Sequence, residues 1–247
     1  FSLSYSRHLS ESKKLAVLQN AFKREFELKE NWIKSKCNRI RFPCHGCSVI
    51  TCLEIDEINE RIFTGSEDHT VSLWKLSKGR CRPLGSLIGH RGGVWAMRVV
   101  PDKDVLITGS TDRSLMVWDL KTMSLKHQMV GHISTVRCLE IWKHYTISGS
   151  RDGTIRIWNW VTGDLIYHIS EAHQSSVRCL ALFKDGLVVS GSYDNTCALW
   201  NVETGQLVRR FEGHTDKIYA VACSQSMIFS GSMDGSVKLW SPNLIQC

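Results

Sequence analysis

The chain has 247 residues, a net charge of +7 and a hydrophobic content of 43%, with 18 glycines and 4 prolines. This composition supplies enough apolar residues for a core and excludes a disordered or collagen-like chain. No apolar run approaches the roughly 18 residues that a membrane-spanning helix needs, and residues 1–14 lack the apolar stretch of a secretory signal. The 10 cysteines are scattered through strand-like runs. We therefore expect a reduced protein of the nucleus and/or cytoplasm, with no membrane partner.

The positive charge is concentrated at the N-terminal end. Residues 1–41 hold ten Lys and Arg against four Glu, whereas residues 42–247 carry a net charge of only +1. Within this end, residues 10–32 predict a helix with Leu15, Leu18, Phe22 and Phe26 on one face. We interpret residues 1–36 as a helical linker or arm and residues 37–247 as the main domain. Contact of the arm with RNA or an acidic partner stays open, although the balanced main domain argues against a nucleic-acid-binding surface.

Five segments of the main domain superpose without gaps and share the pattern Gly-Ser-x-Asp. They begin at Thr64, Thr108, Ser148, Ser190 and Ser230. A tryptophan follows each Asp by six residues, and the tryptophans recur with periods of 44, 40, 42 and 40. A histidine precedes each Asp by 20 to 23 residues. The chain is therefore built from a repeated unit of about 40 residues.

Each unit reads as short alternating strands separated by turns. One unit runs through 135–141, 145–148, 154–158 and 165–169, with a turn at 162–164. Short strands within a period of 40–45 residues are typical of an all-β fold, the WD40-type β-propeller. Five repeats are visible, and the last one stops after Trp240. WD propellers usually have more than five blades, so we expect a propeller truncated from a larger one, although five blades closed by an N-terminal strand stay possible. The start at Phe1 and not at Met also indicates a fragment.

The recurring His, Ser or Thr, and Asp raise the question of a hydrolase triad. The set recurs five times, which a single active site does not do. We therefore predict that these residues hold each repeat together by hydrogen bonds. The sequence gives no reason to expect an enzyme or a cofactor.

A zinc site is the other alternative to be weighed. Cys44 and Cys47 have the spacing of a zinc half-site, and Cys37 and Cys52 lie nearby. No second half-site is evident, and the repeat already uses His45. We therefore predict no metal site.

Two columns of residues change their chemistry from repeat to repeat. The first follows the Val or Ile of the innermost strand and is assigned to Ile50, Trp95, Arg137, Arg178 and Tyr219. The second precedes the turn Asp and contains Glu67, Thr111, Arg151, Tyr193 and Met233. In a propeller both columns are expected at one mouth of the central channel.

Together these columns predict a cluster of Arg137, Arg151 and Arg178 flanked by aromatic side chains. Arginine binds phosphate through planar bidentate hydrogen bonds, and a phosphorylated Ser or Thr brings three acceptor oxygens. Trp and Tyr would contact the surrounding peptide. In the alternative interpretation each Arg pairs with a nearby acid, such as Glu140 or Asp152.

The residues around these columns resemble the propeller of F-box/WD-repeat proteins. The resemblance covers about residues 44–247 and is carried by the segments 92–95, 110–113, 134–138, 148–152 and 176–179. These proteins are substrate-recognition subunits of SCF-type ubiquitin ligases that read phosphorylated Thr-Pro degrons. The resemblance implies that Arg137, Arg151 and Arg178 hold the phosphate. It implies that the surrounding peptide is bound by Trp95, Arg113, Ser134, Thr135, Tyr193 and Tyr219.

The chain departs from this family in several ways. No F-box precedes the repeats, so binding to the Skp1-cullin subunits is expected through a segment not present in this chain. Three of the eight blades that the family has are missing, and one extra residue lies near Glu171 and Ala172. The competing hypothesis is a non-catalytic scaffold whose same face binds an unphosphorylated partner or RNA. That hypothesis predicts no preference for a phosphopeptide.

Overall fold

The computed structural model describes residues 30, 39, 41–77 and 80–241. The chain divides into two compact units, Phe1–Arg41 and Phe42–Cys247. Apart from Glu30, which is helical, the helix predicted for residues 10–32 lies outside the described residues. No helix in the described part of the chain is long and apolar enough to cross a membrane.

The second unit consists of antiparallel sheets that follow one another along the chain. Sheet 1 contains β1 (Ile50–Asp56), β2 (Arg61–Ser66), β3 (Thr70–Ser77) and β4 (Arg80–Ile88), and sheet 2 contains β5 (Val94–Val100), β6 (Val105–Ser110), β7 (Ser114–Asp119) and β8 (Ser124–Val130). Sheet 3 contains β9 (Val136–Trp142), β10 (Tyr145–Ser150), β11 (Ile155–Asn159) and β12 (Leu165–Ile169), and sheet 4 contains β13 (Val177–Leu182), β14 (Leu187–Ser192), β15 (Cys197–Asn201) and β16 (Leu207–Phe211). Sheet 5 contains β17 (Ile218–Cys223), β18 (Ile228–Ser232) and β19 (Val237–Trp240). A single turn of 3-10 helix, Pro101–Lys103, joins β5 to β6.

These sheets confirm the repeat pattern and the all-β class. In sheet 3 the predicted strands agree with the observed ones to within two residues at either end. Each sheet is a simple meander, because short turns join consecutive antiparallel strands. The fold is therefore a series of similar sheets, and both faces of each sheet need to be covered by neighbouring parts of the protein.

Neighbouring sheets cover each other's faces, and their first strands lie side by side from β1 through β5, β9 and β13 to β17. The glycine of the repeated Gly-Ser-x-Asp pattern makes this close approach possible. A Cβ atom at Gly109 would lie 2.6 Å from Cγ1 of Val136 in the next sheet, and one at Gly149 would lie 2.6 Å from Cγ1 of Val177. The glycine recurs because any side chain there would displace the following sheet.

Each of the two end sheets of the series has one face that no described strand covers. Leu53 of β1 is 55% exposed, although its repeat equivalents Met97 and Leu139 are buried against the preceding sheets. At the other end, Val237 and Leu239 of β19 are exposed, and a Cβ atom at Gly231 would meet nothing within 4 Å. Among the described residues no strand pairs sheet 5 with sheet 1. The structure thus confirms the sheets but not their closure into a ring.

Candidate peptide-binding surface

The recurring polar residues form a hydrogen-bond chain inside each sheet. In sheet 3 the Trp158 indole N–H donates to Oγ of Ser148 at 2.9 Å, and that oxygen lies 2.8 Å from Nε2 of His132. Nδ1 of the same histidine lies 3.1 Å from Oδ2 of Asp152. Since the carboxylate can only accept, Nδ1 carries the proton and Nε2 accepts from the hydroxyl. All four groups are thereby satisfied by one another, which supports the structural interpretation of the histidines.

The pKa shifts within this hydrogen-bond chain agree with that arrangement of protons. Burial alone would raise the pKa of the Asp152 carboxyl, but the hydrogen bonds from His132 and Thr154 outweigh it and hold the pKa far below its ordinary value. Burial lowers the pKa of His132. The pair therefore consists of a carboxylate and a neutral imidazole near pH 7.

Sheet 1 carries an incomplete form of this chain. His45 contacts Asp68 and Thr64 at 2.8 and 2.9 Å, as in the other sheets. The Nε1 atom of Trp74, however, is buried and has no hydrogen-bond partner among the described residues. Phe42 packs against the Trp74 ring, with 4.9 Å between the ring centroids.

The first variable column lies at a β-bulge in the first strand of each sheet. The pairing of β9 with β10 joins Val136 to Ser150 and then Cys138 to Gly149, so Arg137 has no partner in the ladder. The same irregularity skips Trp95, Arg178 and Tyr219. A bulge leaves its extra residue unpaired and turns the strand locally. These four positions are equivalent in structure, as predicted.

The assignment of Ile50 to this column is wrong. In sheet 1 Ile50 pairs with Ser66 and Cys52 pairs with Gly65, so the skipped residue is Thr51. Ile50 occupies the place of Val136, the residue that packs against the preceding sheet. The alignment of Cys52 with Cys138 and Cys179 is the sequence signal that identifies Thr51.

The second column lies directly beside the first. In every sheet the backbone N–H of its residue donates to the carbonyl two positions before the bulge residue, for example from Arg151 to Thr135 at 2.9 Å and from Tyr193 to Ser176 at 3.0 Å. We refer to the two columns together as the rim, which comprises Thr51, Trp95, Arg137, Arg178, Tyr219, Glu67, Thr111, Arg151, Tyr193 and Met233. The structure thus brings bulge and turn residues to the same end of each sheet.

Aromatic and cationic side chains of the rim pack against one another. The guanidinium carbon of Arg137 lies 5.4 Å from the Trp95 ring centroid. That of Arg178 lies 5.7 Å from the Tyr219 ring centroid. The rings of Tyr219 and Tyr193 are 5.1 Å apart. These contacts place both guanidinium groups near aromatic rings, an arrangement in which arginine N–H groups can still bind a ligand.

Sequence reasoning missed one cation of this group. Lys217 places its Nζ 5.6 Å from the Tyr193 ring centroid. It is the residue two positions before Tyr219, and that position is the only signal that could have identified it.

The acids considered as arginine partners are engaged elsewhere. Glu140 binds Arg98 at 2.8 Å, and Asp152 binds His132. Within the described residues, Arg137, Arg151 and Arg178 form no ion pair, and Nε of Arg137 is buried without a hydrogen-bond partner. The pairing of these arginines with nearby acids is therefore excluded for the described part of the chain.

The remaining predicted residues lie at the rim or next to it. Arg151 and Arg113 are exposed, and neither side chain makes an ion pair in the part of the chain that the structure describes. Arg113 lies in the turn of sheet 2 with a φ of 72°. The carbonyls of Ser134 and Thr135 accept hydrogen bonds from the Ser150 hydroxyl and the Arg151 N–H. The structure joins Arg137 to Trp95 and Arg178 to the tyrosines, whereas Arg113 and Arg151 make no ring contact with the described residues.

The cysteines near the start of sheet 1 remain free. Cys44, Cys47 and Cys52 form no disulfide, and the Cys44 thiol lies 3.6 Å from the Phe42 carbonyl. No group of three or more potential metal ligands occurs among the described residues.

The repeats match a family model described as WD domain, G-beta repeat, over residues 35–75, 81–119, 123–159, 163–201 and 205–241. The chain belongs to the WD40 repeat family. Members of this family are generally non-catalytic scaffolds that bind other proteins, in agreement with the structural role of the histidines.

Individual WD40 proteins resemble the chain over most of its length. WD repeat-containing protein pop1 of Schizosaccharomyces pombe is 29% identical over 94% of the chain and 31% of its own length. Cell division control protein 4 of Saccharomyces cerevisiae is 32% identical over 92% of the chain and 32% of its own length. The chain thus spans about a third of these relatives.

A solved structure shows the same arrangement of repeats. The crystal structure of the computationally designed Ika8 protein superposes with a TM-score of 0.71 and 32% sequence identity, and it covers 78% of this chain and 58% of the designed one. The chain is therefore similar to this structure in the spatial arrangement of its repeats as well as in their sequence.

Proposed function

We propose that this WD40 chain recognises phosphorylated Ser/Thr-Pro degrons for an SCF-type ubiquitin ligase. The single observation that carries the proposal is that Arg137, Arg151 and Arg178 have no acidic partner among the described residues. All three belong to the rim, and none has an ion pair among the described residues. Arginines that keep their hydrogen-bonding edges free beside aromatic side chains favour an anionic ligand within a peptide.

In this proposal the five sheets are blades of a larger β-propeller, and residues 1–36 form a helical arm leading to it. Phosphate would be held by the three arginines. The adjoining peptide would contact Trp95, Arg113, Ser134, Thr135, Tyr193 and Tyr219. An F-box outside this chain would bind the Skp1-cullin subunits, in the nucleus and/or cytoplasm. The name of the yeast relative, cell division control protein 4, is compatible with a regulatory role of this kind.

Fluorescence anisotropy with paired peptides tests the proposal. One peptide carries phosphothreonine-proline and its twin is unphosphorylated. We expect the full chain to bind the phosphopeptide at least tenfold more tightly. Changing Arg137, Arg151 and Arg178 together to Ala should abolish that preference, because each charge-assisted hydrogen bond contributes about 1.5–3 kcal/mol.

A second triple variant controls for net charge. Arg80, Arg82 and Arg209 are exposed on the outer strands β4 and β16, and their replacement by Ala removes the same charge. This variant should keep the phosphopeptide preference. Equal binding of both peptides by the folded wild type would overturn the proposal and favour a scaffold for an unphosphorylated partner. Binding of RNA that the two triple variants weaken equally would indicate a non-specific electrostatic contact.

A further inference from the structure

A buried hydroxyl next to the rim has no partner among the described residues. Ser176 is 6% exposed, and its Oγ makes no hydrogen bond with any described residue. Its backbone carbonyl, in contrast, accepts the N–H of Tyr193 at 3.0 Å. Buried side-chain hydroxyls are nearly always hydrogen-bonded, so an unpartnered one next to the rim is a candidate hydrogen-bond donor to a ligand bound there.

The repeat shows where this side chain begins. Gly93 occupies the equivalent position in sheet 2, two residues before the bulge residue Trp95. A Cβ atom at Gly93 would lie 3.2 Å from the Glu67 Cα in the preceding sheet and 3.4 Å from the Trp95 Nε1. This position therefore points across the gap between two sheets.

In sheets 3 and 4 the equivalent positions on either side of this gap are both arginines. The equivalent of Glu67 is Arg151, and the equivalent of Trp95 is Arg178, since both pairs occupy the same rim positions. By this equivalence the Ser176 side chain starts beside the backbone of Arg151, two residues before Arg178 in the sequence. The neighbouring position behaves differently, because a Cβ atom at Gly92, the equivalent of Ser175, would clash with Thr111 Oγ1 of its own sheet.

We propose that Ser176 is a specificity-determining residue whose hydroxyl donates to the third oxygen of a phosphate bound by Arg151 and Arg178. The proposal rests on the proposed function. A phosphate group presents three acceptor oxygens in a tetrahedral arrangement, whereas a carboxylate presents two in a plane. The guanidinium groups of Arg151 and Arg178, together with that of Arg137 in the proposed function, and one hydroxyl supply separate donors that match the former. Ser176 thus enables the site to distinguish phosphothreonine from glutamate.

The test compares three peptides that differ only in one residue, phosphothreonine, threonine or glutamate before proline. We expect Ser176→Ala to weaken binding of the phosphothreonine peptide by about tenfold and to change binding of the glutamate peptide less than twofold. Ser176→Thr, which retains a hydroxyl and matches Thr135 in sheet 3, should restore discrimination. Ser175→Ala serves as the matched control, because its side chain starts toward its own turn.

Thermal unfolding without peptide separates ligand binding from a structural role. Ser176→Ala removes an unpartnered hydroxyl, so its Tm should equal or exceed that of the wild type. A lower Tm would show that the hydroxyl serves the fold and would overturn the proposal.

The outcomes also separate this proposal from the one on which it rests. If the wild type prefers the phosphothreonine peptide and Ser176→Ala binds it equally well, the role of Ser176 is disproved while degron recognition stands. If the wild type does not distinguish phosphothreonine from threonine, both proposals fail.

Discussion

In four of the five sheets the tryptophan indole donates to the strand hydroxyl, which lies beside the histidine, which in turn contacts the aspartate. At each step one group donates a hydrogen bond and the next group accepts it, so the hydrogen bonds run in one direction from Trp to Asp. Every member is buried or partly buried, and a missing member would leave a polar atom unsatisfied. The His, Ser or Thr, and Asp that resemble a catalytic triad therefore stabilise each sheet.

Sheet 1 provides an internal comparison for this role. Trp158 donates to Ser148, whereas the Trp74 indole has no partner among the described residues. We expect Trp158→Phe to lower the free energy of unfolding by about 1–2 kcal/mol more than Trp74→Phe, because both changes remove similar volume and only the first removes a hydrogen bond. Urea denaturation of both variants measures the difference. Equal losses would show that the indole N–H contributes nothing.

At the scale of the element, the turn between the second and third strands requires a left-handed residue after the Asp. The position has a φ between 70° and 82° in all five sheets and is occupied by His69, Arg113, Gly153, Asn195 and Gly235. Glycine and asparagine adopt this conformation readily, whereas an arginine is strained in it. Arg113 thus has an unfavourable backbone conformation, and it carries a cationic side chain in the turn next to the rim.

Replacing Arg113 by Gly should therefore raise the free energy of unfolding by about 0.5–1 kcal/mol. The reverse type of change, Gly153→Ala, should destabilise the protein, because its Cβ atom would lie 2.7 Å from the His173 carbonyl oxygen. Thermal unfolding of both variants checks the two signs. A loss of stability in Arg113→Gly would contradict the assignment of strain to this turn.

Much of each element could be predicted from the repeat, but its register could not. The Gly-Ser-x-Asp pattern predicts the turns, the strands and the partners of the histidines. Val49 and Ile50 both suit the position that Val136 occupies in β9, so the sequence alone leaves two registers, and only the observed pairing selects Thr51 as the bulge residue. The partner of Glu140 was also beyond prediction, because Arg98 reaches it from a neighbouring sheet. Short-range patterns determine local structure, whereas contacts between sheets depend on packing.

At the scale of the whole molecule, equivalent positions of the repeats lie in different environments. The environment depends on whether a preceding sheet covers the position. Leu53, Met97, Leu139 and Leu180 are equivalent, yet only Leu53 is exposed, since the other three are covered by a preceding sheet. The core of the protein therefore lies mainly between the sheets, and each sheet contributes to two interfaces when it has two neighbours.

This dependence on neighbours predicts a large difference between two identical substitutions. Leu53→Glu should change the free energy of unfolding by less than about 0.5 kcal/mol, because the side chain already contacts solvent. Leu139→Glu should cost at least about 3 kcal/mol, because it places a carboxylate in an apolar interface. Circular dichroism during urea titration measures both. A comparable loss in both variants would show that the Leu53 face is covered in solution.

The bulge at the start of every first strand has an evolutionary consequence. The residue that the ladder skips has no pairing partner on the next strand, so its side chain does not have to fit a cross-strand neighbour. Duplication of a repeat copies this arrangement whole, with one freely mutable residue attached to a complete scaffold. A lineage of such chains can therefore change its binding partner one substitution at a time while the fold stays intact.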